Sequence, residues 1–379
     1  MPDSRMPGFG RGTPGERRAS LVEAGWLTSE EAASLVTGSG AIERLSEDVV
    51  GEQRFPLSLV PNFRINGKDL MVPMSTEESS VVAGTARVAT LLRGGDGIRA
   101  VPGGRRLSAQ VLVEGGDAAA WLSARREGLR AELDAGHPRL CAAGGGVEGI
   151  EVHSFNVGQV LLIDVGVGDA MGAHALDRMA EALGAIWEAE NVDGRAVAAI
   201  VSNWPMGPIA MVEAEVPVEA LARNGRSGPN VAEDIARLSQ WAREDPRRRV
   251  THLKGAMNGV LGVLAAFRQD LRAVAAAVAA GAWNDLEGVI LPTWTVHRDL
   301  LHGRLALPVP CGIVGRGQDD PVLALLRRLG GIRCGADLEM VSLSVGLASN
   351  LCALQILVTE GIVSGHGRLH QGHATPGGE

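Results

Sequence analysis

The sequence predicts an α+β fold on three observations. Between residues 107 and 201, segments with apolar alternation and amphipathic segments follow the order strand, helix, strand, strand, helix, strand. The chain on both sides of this region has mainly helical periodicity. A glycine-rich stretch at 94–106, GGDGIRAVPGGRR, marks a boundary. Because the first observation is the split βαβ pattern of ferredoxin-like domains, we expect a large, mainly helical domain with a small ferredoxin-like domain inserted.

Residues 1–106 are predicted to form the N-terminal part of the large domain. A polar arm over about 1–20 leads into helical spacing that continues to about residue 50, with an N-cap expected at Thr28 or Ser29 before two glutamates. A strand-like stretch, FPLSLVPNFRING, follows this helical region. DLMVPMSTEE then leads into SSVVAGTARVATLLR, whose pattern is helical.

The inserted domain is predicted at 107–201. Its strands are expected in SAQVLVEG, GIEVHSFNVGQVLLIDVGVG and AVAAIVSN, and its helices in DAAAWLSARREGLRAELDA and AMGAHALDRMAEALGAIWEAE. The large domain is expected to resume over 202–360 as a series of mainly helical segments that ends in SVGLASNLCALQILVTEG. Residues 361–379 are predicted to form a short tail that contains glycine and proline.

Composition excludes several classes of function. A formal net charge of −8 provides no basic field for general nucleic-acid binding. The four cysteines lack C-x-x-C spacing, which argues against a disulfide framework and a zinc site and suits a reducing cytoplasm. We identify no signal peptide and no uncharged apolar stretch of about 18 residues, so we expect no membrane span. LRAVAAAVAAGAW comes nearest to such a stretch.

The lysine in THLKGAMNG, Lys254, is unusual in this chain. Of the 36 basic residues only Lys68 and Lys254 are lysines, so arginine is the default surface cation. The compact ammonium of a lysine can face a single developing oxyanion, which a guanidinium does poorly. This segment alone leaves two interpretations open: a surface charge preceding a long apolar helix, and a catalytic cation.

Three further segments also allow more than one interpretation. GVGDAMG, at 166–172, is either a tight strand-to-helix turn or a glycine turn that presents backbone N–H groups to a phosphate. In MSTEESS, Glu77 and Glu78 either complement a helix dipole or include a carboxyl group held for proton transfer. His366 and His370 are four residues apart, but the glycines around them disfavour the stable helix that a zinc site needs, so we expect no metal.

Taken together, these segments resemble the class II, bacterial-type 3-hydroxy-3-methylglutaryl-CoA (HMG-CoA) reductases. The resemblance begins near SRMPGFG and includes NFRINGKDLMVPMSTEESSVVAG, DVGVGDAMGAHALDRMAEALG, VTHLKGAMNG and LASNLCALQILVTEGIVSGHGRLH, in the family's order. It implies a large helical domain around a central helix, with an inserted ferredoxin-like nucleotide-binding domain. It also implies two hydride transfers between NAD(P)H and HMG-CoA that give mevalonate and CoA, or the reverse, in a cytoplasmic homodimer whose active sites form at the subunit interface.

The resemblance assigns roles to individual residues. Glu78 would handle the carbonyl proton, and Lys254 would stabilise the oxyanion. Asp270 would hold that lysine charged and in place, and His366 would protonate the departing CoA thiolate. The residues that would bind the hydroxymethylglutaryl end are Ser80, Asn203, Arg248 and Asn258. The residues that would bind the dinucleotide are Glu148, Asp169, Ala170, Met171 and Gly172.

Some positions depart from the family pattern. The acid expected near the adenosine ribose aligns with Gly149, and Glu148 is one step away, which slightly favours NAD(H) over NADP(H). After His366 the chain continues for 13 residues, where the family has a helical flap of several tens of residues, so a shortened flap is expected. Two alternatives to the reductase stay open: a homologue that acts on another acyl-CoA, and a catalytically impaired CoA-thioester-binding dimer.

Overall fold

The computed structural model describes residues 4–35, 46–284, 286–315 and 317–361. The segments before and after the Pro56–Leu57 bond form two compact units. The first unit contains a short 3-10 turn, Phe9–Arg11, and two helices, α1 (Pro14–Glu23) and α2 (Ser29–Ser34). Thr28 caps α2, because its side chain accepts the N–H of Glu31 while the Glu31 carboxylate accepts the N–H of Thr28. The N-cap predicted at Thr28 or Ser29 is therefore confirmed at Thr28.

The second unit contains a six-stranded sheet and a four-stranded sheet. The strands of the larger sheet are β1 (Leu57–Ile65), β2 (Lys68–Ser75), β3 (Ile98–Val101), β8 (Met211–Pro217), β9 (Ile290–His297) and β10 (Leu300–Ala306). Their order is β2-β1-β3-β8-β10-β9, and every neighbouring pair is antiparallel except β1 with β3. Helix α3 (Ser79–Arg93) connects β2 to β3.

The smaller sheet is formed by β4 (Arg106–Glu114), β5 (Gly146–Phe155), β6 (Gly158–Gly166) and β7 (Arg195–Met206), in the order β5-β6-β4-β7. The helices between these strands are α4 (Ala118–Ala135), α5 (Pro138–Ala142) and α6 (Ala173–Glu190). The predicted order of strands and helices is found, with α5 as an unpredicted short helix. Val111, Ile163 and Trp187 belong to a hydrophobic core cluster that is separate from the core of the larger sheet.

Five further helices follow the smaller sheet: α7 (Gly228–Glu244), α8 (Pro246–Ala266), α9 (Leu271–Trp283), α10 (Pro321–Leu329) and α11 (Gly335–Thr359). Helices α8 and α11 pack closely because small residues of α8 face α11. A Cβ atom at Gly259 would lie 2.5 Å from the carbonyl oxygen of Val345, so only glycine fits there. The Ser349 hydroxyl donates a hydrogen bond to the Gly255 carbonyl (2.8 Å), which fixes the alignment of the two helices.

Helix α11 belongs to the hydrophobic core that packs against the larger sheet. By length and composition it could cross a membrane, but 78% of its most apolar window is buried inside the protein, as in the core helix of a soluble domain. The expectation that LRAVAAAVAAGAW would come nearest to a membrane span was wrong, because α11 has 25 residues and is apolar enough to span a membrane, whereas LRAVAAAVAAGAW forms a shorter apolar helix of 13 residues. Its serines, asparagine and glutamine find hydrogen-bond partners within the protein.

The region after residue 202 was predicted as mainly helical, and α7 to α11 lie there, but the prediction omitted the strands β8, β9 and β10. Alternate residues of β8 are buried, namely Val212, Ala214 and Val216, so the sequence does alternate with a period of two there, but only over seven residues. Lys254 was expected to precede a long helix, whereas α8 begins at Pro246 and Lys254 lies in its third turn.

Candidate active site

Four helices of the second unit line a cavity of about 680 Å³. The walls come from the start of α3, the C-terminal part of α7, one face of α8 and the C-terminal half of α11. This volume lies in the range of pockets that hold small ligands. The predicted site residues in its lining are Glu78, Ser80, Arg248, Lys254 and Asn258.

One face of α8 supplies the positive charge of the cavity. Arg248, Thr251, Lys254 and Asn258 follow one another at spacings of three and four, so the helix holds them in one row. The Lys254 side chain forms no salt bridge with any residue in the described ranges. An exposed ammonium group that no carboxylate in the described part of the chain neutralises can stabilise negative charge on a ligand.

The buried side of α8 is fixed by His252. This imidazole is 2% exposed, and its Nε2 lies 2.6 Å from the carbonyl oxygen of Pro292. Burial lowers the pKa of His252 to about 4, so the ring is neutral near neutral pH and adds no second cation behind Lys254. The Asn350 side chain of α11 donates to the His252 carbonyl (2.9 Å) and accepts a hydrogen bond from the Trp294 indole (2.9 Å). These contacts hold the cavity wall rigid.

Glu78 and Ser80 form a hydrogen-bonded pair at the other side of the cavity. Glu78 occupies the N-cap position of α3, and its backbone N–H donates to the Thr76 hydroxyl (3.2 Å). The Ser80 hydroxyl donates to the Glu78 carboxylate (2.8 Å). The half-buried carboxyl group is thus directed by its own helix start, in a position from which it can exchange a proton with a ligand in the cavity.

Asp270 and Asn203 do not line this cavity. Lys254 lies twelve residues, or about 18 Å of helix, before the end of α8, and Asp270 lies beyond that end. Asp270 instead caps α9 and accepts hydrogen bonds from the Arg272 and Ala273 amides (3.0 and 3.2 Å). The pKa of the Asp270 carboxyl is below its usual value. Burial by itself would raise this pKa, but the hydrogen bonds from Arg272 and Ala273 lower it by more.

Asn203 is exposed on β7, the strand against which α9 packs. Asp270, at the start of α9, and Asn203, on β7, therefore lie on elements that pack against each other. His366 lies outside the described residues, as does the tail predicted at 361–379 except for Gly361.

The predicted dinucleotide-binding residues lie at one end of the smaller sheet. Gly172 is the N-cap of α6 with φ +94°, and a Cβ atom there would clash with the Val167 side chain. The Glu148 carboxylate pairs with Arg106 (2.5 Å) and lies against Gly166, which opens the turn. The turn leads into an 18-residue helix whose first N–H groups have no helical partners, so the site fits a phosphate-containing group.

Arg105 is a residue that sequence reasoning missed. Its guanidinium donates to the carbonyl oxygens of Gly168 (2.5 Å), Ala170 (3.1 Å) and Cys311 (2.7 Å). The Asp169 carboxylate completes this anchorage by accepting the N–H of Gly335 at the start of α11 (2.8 Å). The turn is thus anchored through the Gly168 and Ala170 carbonyl groups and the Asp169 side chain. A signal was available in the sequence, since Arg105 lies in the glycine-rich stretch that was interpreted only as a boundary.

Comparisons with known proteins agree with this geometry. The family model described as hydroxymethylglutaryl-coenzyme A reductase matches residues 14–371. The 3-hydroxy-3-methylglutaryl-coenzyme A reductase of Archaeoglobus fulgidus is 30% identical over 384 residues, covering 97% of this chain and 86% of the relative. A class II reductase from Streptococcus pneumoniae, solved with bound NADPH in open conformations, superimposes with a TM-score of 0.76 at 31% identity, covering 93% of this chain and 99% of that one. A second structure of the S. pneumoniae enzyme gives a TM-score of 0.78 at 30% identity, covering 98% and 92%.

The fold and the site thus define a nicotinamide-dependent reductase that acts on an acyl thioester. The chain belongs to the hydroxymethylglutaryl-coenzyme A reductase family and is of the class II type. Its reaction is the reduction of HMG-CoA to mevalonate and CoA by two hydride transfers from NAD(P)H.

Proposed function

We propose that the cavity between α3, α7, α8 and α11 binds the acyl group of HMG-CoA, with Lys254 facing the thioester carbonyl oxygen. The observation that carries this proposal is the convergence of Lys254, Glu78 and Ser80 on one cavity. Hydride addition to a thioester puts negative charge on oxygen, and an ammonium group beside that oxygen gives the largest single stabilisation. Glu78 then transfers the carbonyl proton, and Arg248 and Asn258 bind the distal end of the acyl group.

The chain offers a matched control for this role, because Lys68 is its only other lysine and is exposed at the start of β2. We expect Lys254→Ala to lower kcat by a factor of about 10² to 10³, the typical cost of losing one oxyanion-stabilising group. Lys68→Ala should leave the rate unchanged. The assay follows reduced nicotinamide spectroscopically with HMG-CoA, and in reverse with mevalonate, CoA and the oxidised dinucleotide. Equal rates for Lys254→Ala and the wild type would contradict the proposal.

Each hydride comes from one NAD(P)H molecule, so two dinucleotides would bind in turn, and we propose that Asp169, Ala170, Met171, Gly172 and Glu148 hold each of them. Gly172, at which only a glycine fits, and the open N-terminus of α6 support this binding mode. The half-exposed Glu148 carboxylate at the turn favours NAD(H) slightly, since an acid there can accept the ribose hydroxyls. Comparing KM for NADH and NADPH, in the wild type and in Glu148→Gln, tests this preference. An unchanged ratio of the two KM values would exclude Glu148 as its source.

We propose a homodimer in which a second copy supplies Asp270 and Asn203 to the cavity. The placement of Asp270 beyond the end of α8, outside the lining of the cavity that contains Lys254, supports this arrangement. Asp270 and Asn203 lie on neighbouring elements, α9 and β7, so the same second copy can supply both residues to one cavity. His366, by resemblance, would protonate the CoA thiolate in the same composite site.

Subunit complementation tests this dimer. Lys254→Ala and Asp270→Ala should each lower activity strongly, whereas co-expression should restore about a quarter of the wild-type rate, because half of the dimers are mixed and each contains one intact site. If both residues act within one chain, no activity returns on co-expression.

We also propose the domain boundaries 1–106, 107–201, 202–360 and 361–379, with 107–201 as an inserted ferredoxin-like domain. The strand order β5-β6-β4-β7 and the separate core cluster of this region support the insertion. A cytoplasmic location is proposed on the free cysteines. Hydrogen exchange would test the boundaries, since an inserted domain should exchange as its own cooperative unit.

A further inference from the structure

Arg248 carries a charge that no acidic residue of the described chain neutralises. Its side chain is half-buried, lines the cavity and forms no salt bridge with any residue in the described ranges. A partly buried guanidinium without a carboxylate is costly, so the charge points to an anionic partner supplied by the ligand.

The contact that Arg248 does have is with an aromatic ring. Its guanidinium carbon lies 5.7 Å from the ring centroid of Trp241, which also lines the cavity from α7. The Trp241 indole N–H donates to the carboxylate of Asp245 (3.2 Å), and the same carboxylate caps α8 by accepting the N–H of Arg247 (2.9 Å). Asp245, the N-cap residue of α8, therefore also fixes the orientation of the Trp241 ring.

We propose that Trp241 is a positioning residue for substrate recognition, which holds Arg248 so that its N–H donors face the free carboxylate of the acyl group. This inference rests on the proposed function, in which Arg248 binds the distal end of HMG-CoA. An aromatic face attracts a cation without consuming its in-plane N–H donors, and these stay available for a bidentate carboxylate. A carboxylate in place of the indole would occupy the same donors and compete with the substrate.

The next arginine provides a matched comparison. The guanidinium carbon of Arg249 also lies 5.7 Å from a tryptophan centroid, that of Trp283, and the two indoles are similarly exposed, at 45% for Trp283 and 50% for Trp241. Arg249 additionally donates to the carbonyl oxygen of Arg243 (2.8 Å), and neither Arg249 nor Trp283 lines the cavity. The same contact thus serves helix packing at one place and, by our inference, ligand recognition at the other.

The experiment compares Trp241→Leu, Trp241→Phe and Trp283→Leu in the full-length enzyme. The probes are HMG-CoA as substrate, free 3-hydroxy-3-methylglutarate as a competitive inhibitor, and CoA as an inhibitor that lacks the acyl carboxylate. Trp241→Leu should raise KM for HMG-CoA and Ki for the free diacid about tenfold, from the loss of a cation–π contact and of Arg248 alignment. Trp241→Phe should restore most of the affinity. The kcat and the Ki for CoA should change by less than about twofold.

Three outcomes would overturn the inference. They are an unchanged KM in Trp241→Leu, an equal rise in Trp283→Leu, and an equal rise in Ki for CoA. Arg248→Met distinguishes this inference from the proposed function: it should abolish diacid inhibition, and Trp241→Leu should add nothing in that background. If Arg248→Met leaves diacid binding intact, the assignment of Arg248 fails and this inference fails with it. If Arg248→Met abolishes binding and Trp241→Leu has no effect, only the role of Trp241 is refuted.

Discussion

Glu339 makes the stability of the protein depend on pH. This residue of α11 is 6% exposed, and its carboxylate accepts the N–H of Gly103 (3.2 Å) in the segment that leads into β4. Burial raises the pKa of Glu339 to about 7, although Arg105 and the Gly103 N–H act in the opposite direction. In the unfolded chain the same group has its ordinary pKa of 4.5.

The sign follows from proton uptake. Between pH 4.5 and about 7 the folded protein keeps a proton on Glu339 that the unfolded chain has lost, so the free energy of unfolding falls as the pH rises through this window. The difference between the two pKa values corresponds to roughly 3 kcal/mol, at about 1.4 kcal/mol for each pH unit. Below pH 4.5 and above about 7 this contribution no longer changes with pH.

The variant Glu339→Gln keeps the shape of the side chain and an acceptor for the Gly103 N–H, but it cannot ionise. We expect the variant to gain stability relative to the wild type as the pH rises from 5 to 8, by up to about 3 kcal/mol. Denaturant unfolding of both proteins at several pH values measures this difference, and any constant cost of the substitution cancels. The exposed Glu233→Gln on α7 serves as the control. A wild-type-to-variant difference that is the same at pH 5 and pH 8 would refute the reasoning.

Two further predictions concern the turn and the helix interface. Arg105→Met should weaken dinucleotide binding about tenfold while KM for HMG-CoA stays within about twofold, because two carbonyl groups of the turn, those of Gly168 and Ala170, lose their donor together with the Cys311 carbonyl. Fluorescence titration with NADPH measures this effect, and unchanged binding would exclude the anchoring role. Gly259→Ala should destabilise the protein by about 2 to 4 kcal/mol, since its Cβ would lie 2.5 Å from the Val345 carbonyl oxygen. Gly255→Ala, which meets nothing closer than 3.6 Å, should be neutral or slightly stabilising in thermal unfolding, and a similar loss in both variants would contradict the packing argument.

Local structure was predictable where a local cause decides it. The N-cap at Thr28, the helices of residues 107–201 and the strands between them follow from capping side chains and from apolar periodicity. Strand β8 was missed because its partners, β3 and β10, lie far away in the chain. Strands β9 and β10 pair with each other across a short hairpin, which the sequence analysis overlooked. The apolar alternation of these segments lies next to segments with helical periodicity. Pairing within the six-stranded sheet decides that they form strands, and this pairing is a feature of the tertiary structure.

The sequence by itself singled out Lys254, because lysine is rare in this chain. Spacings of three and four put Arg248, Thr251, Lys254 and Asn258 in one row once all four lie on a helix, but the sequence analysis had placed Lys254 before the helix. The tertiary structure decided which other residues meet that row. Packing of α3, α7 and α11 around α8 brings Glu78 and Trp241 to the same cavity, and no local pattern predicts such nonlocal contacts. Helix α8 also keeps Lys254 apart from Asp270. A helix fixes the distances between residues along its axis, whereas a flexible segment could bring the same residues together.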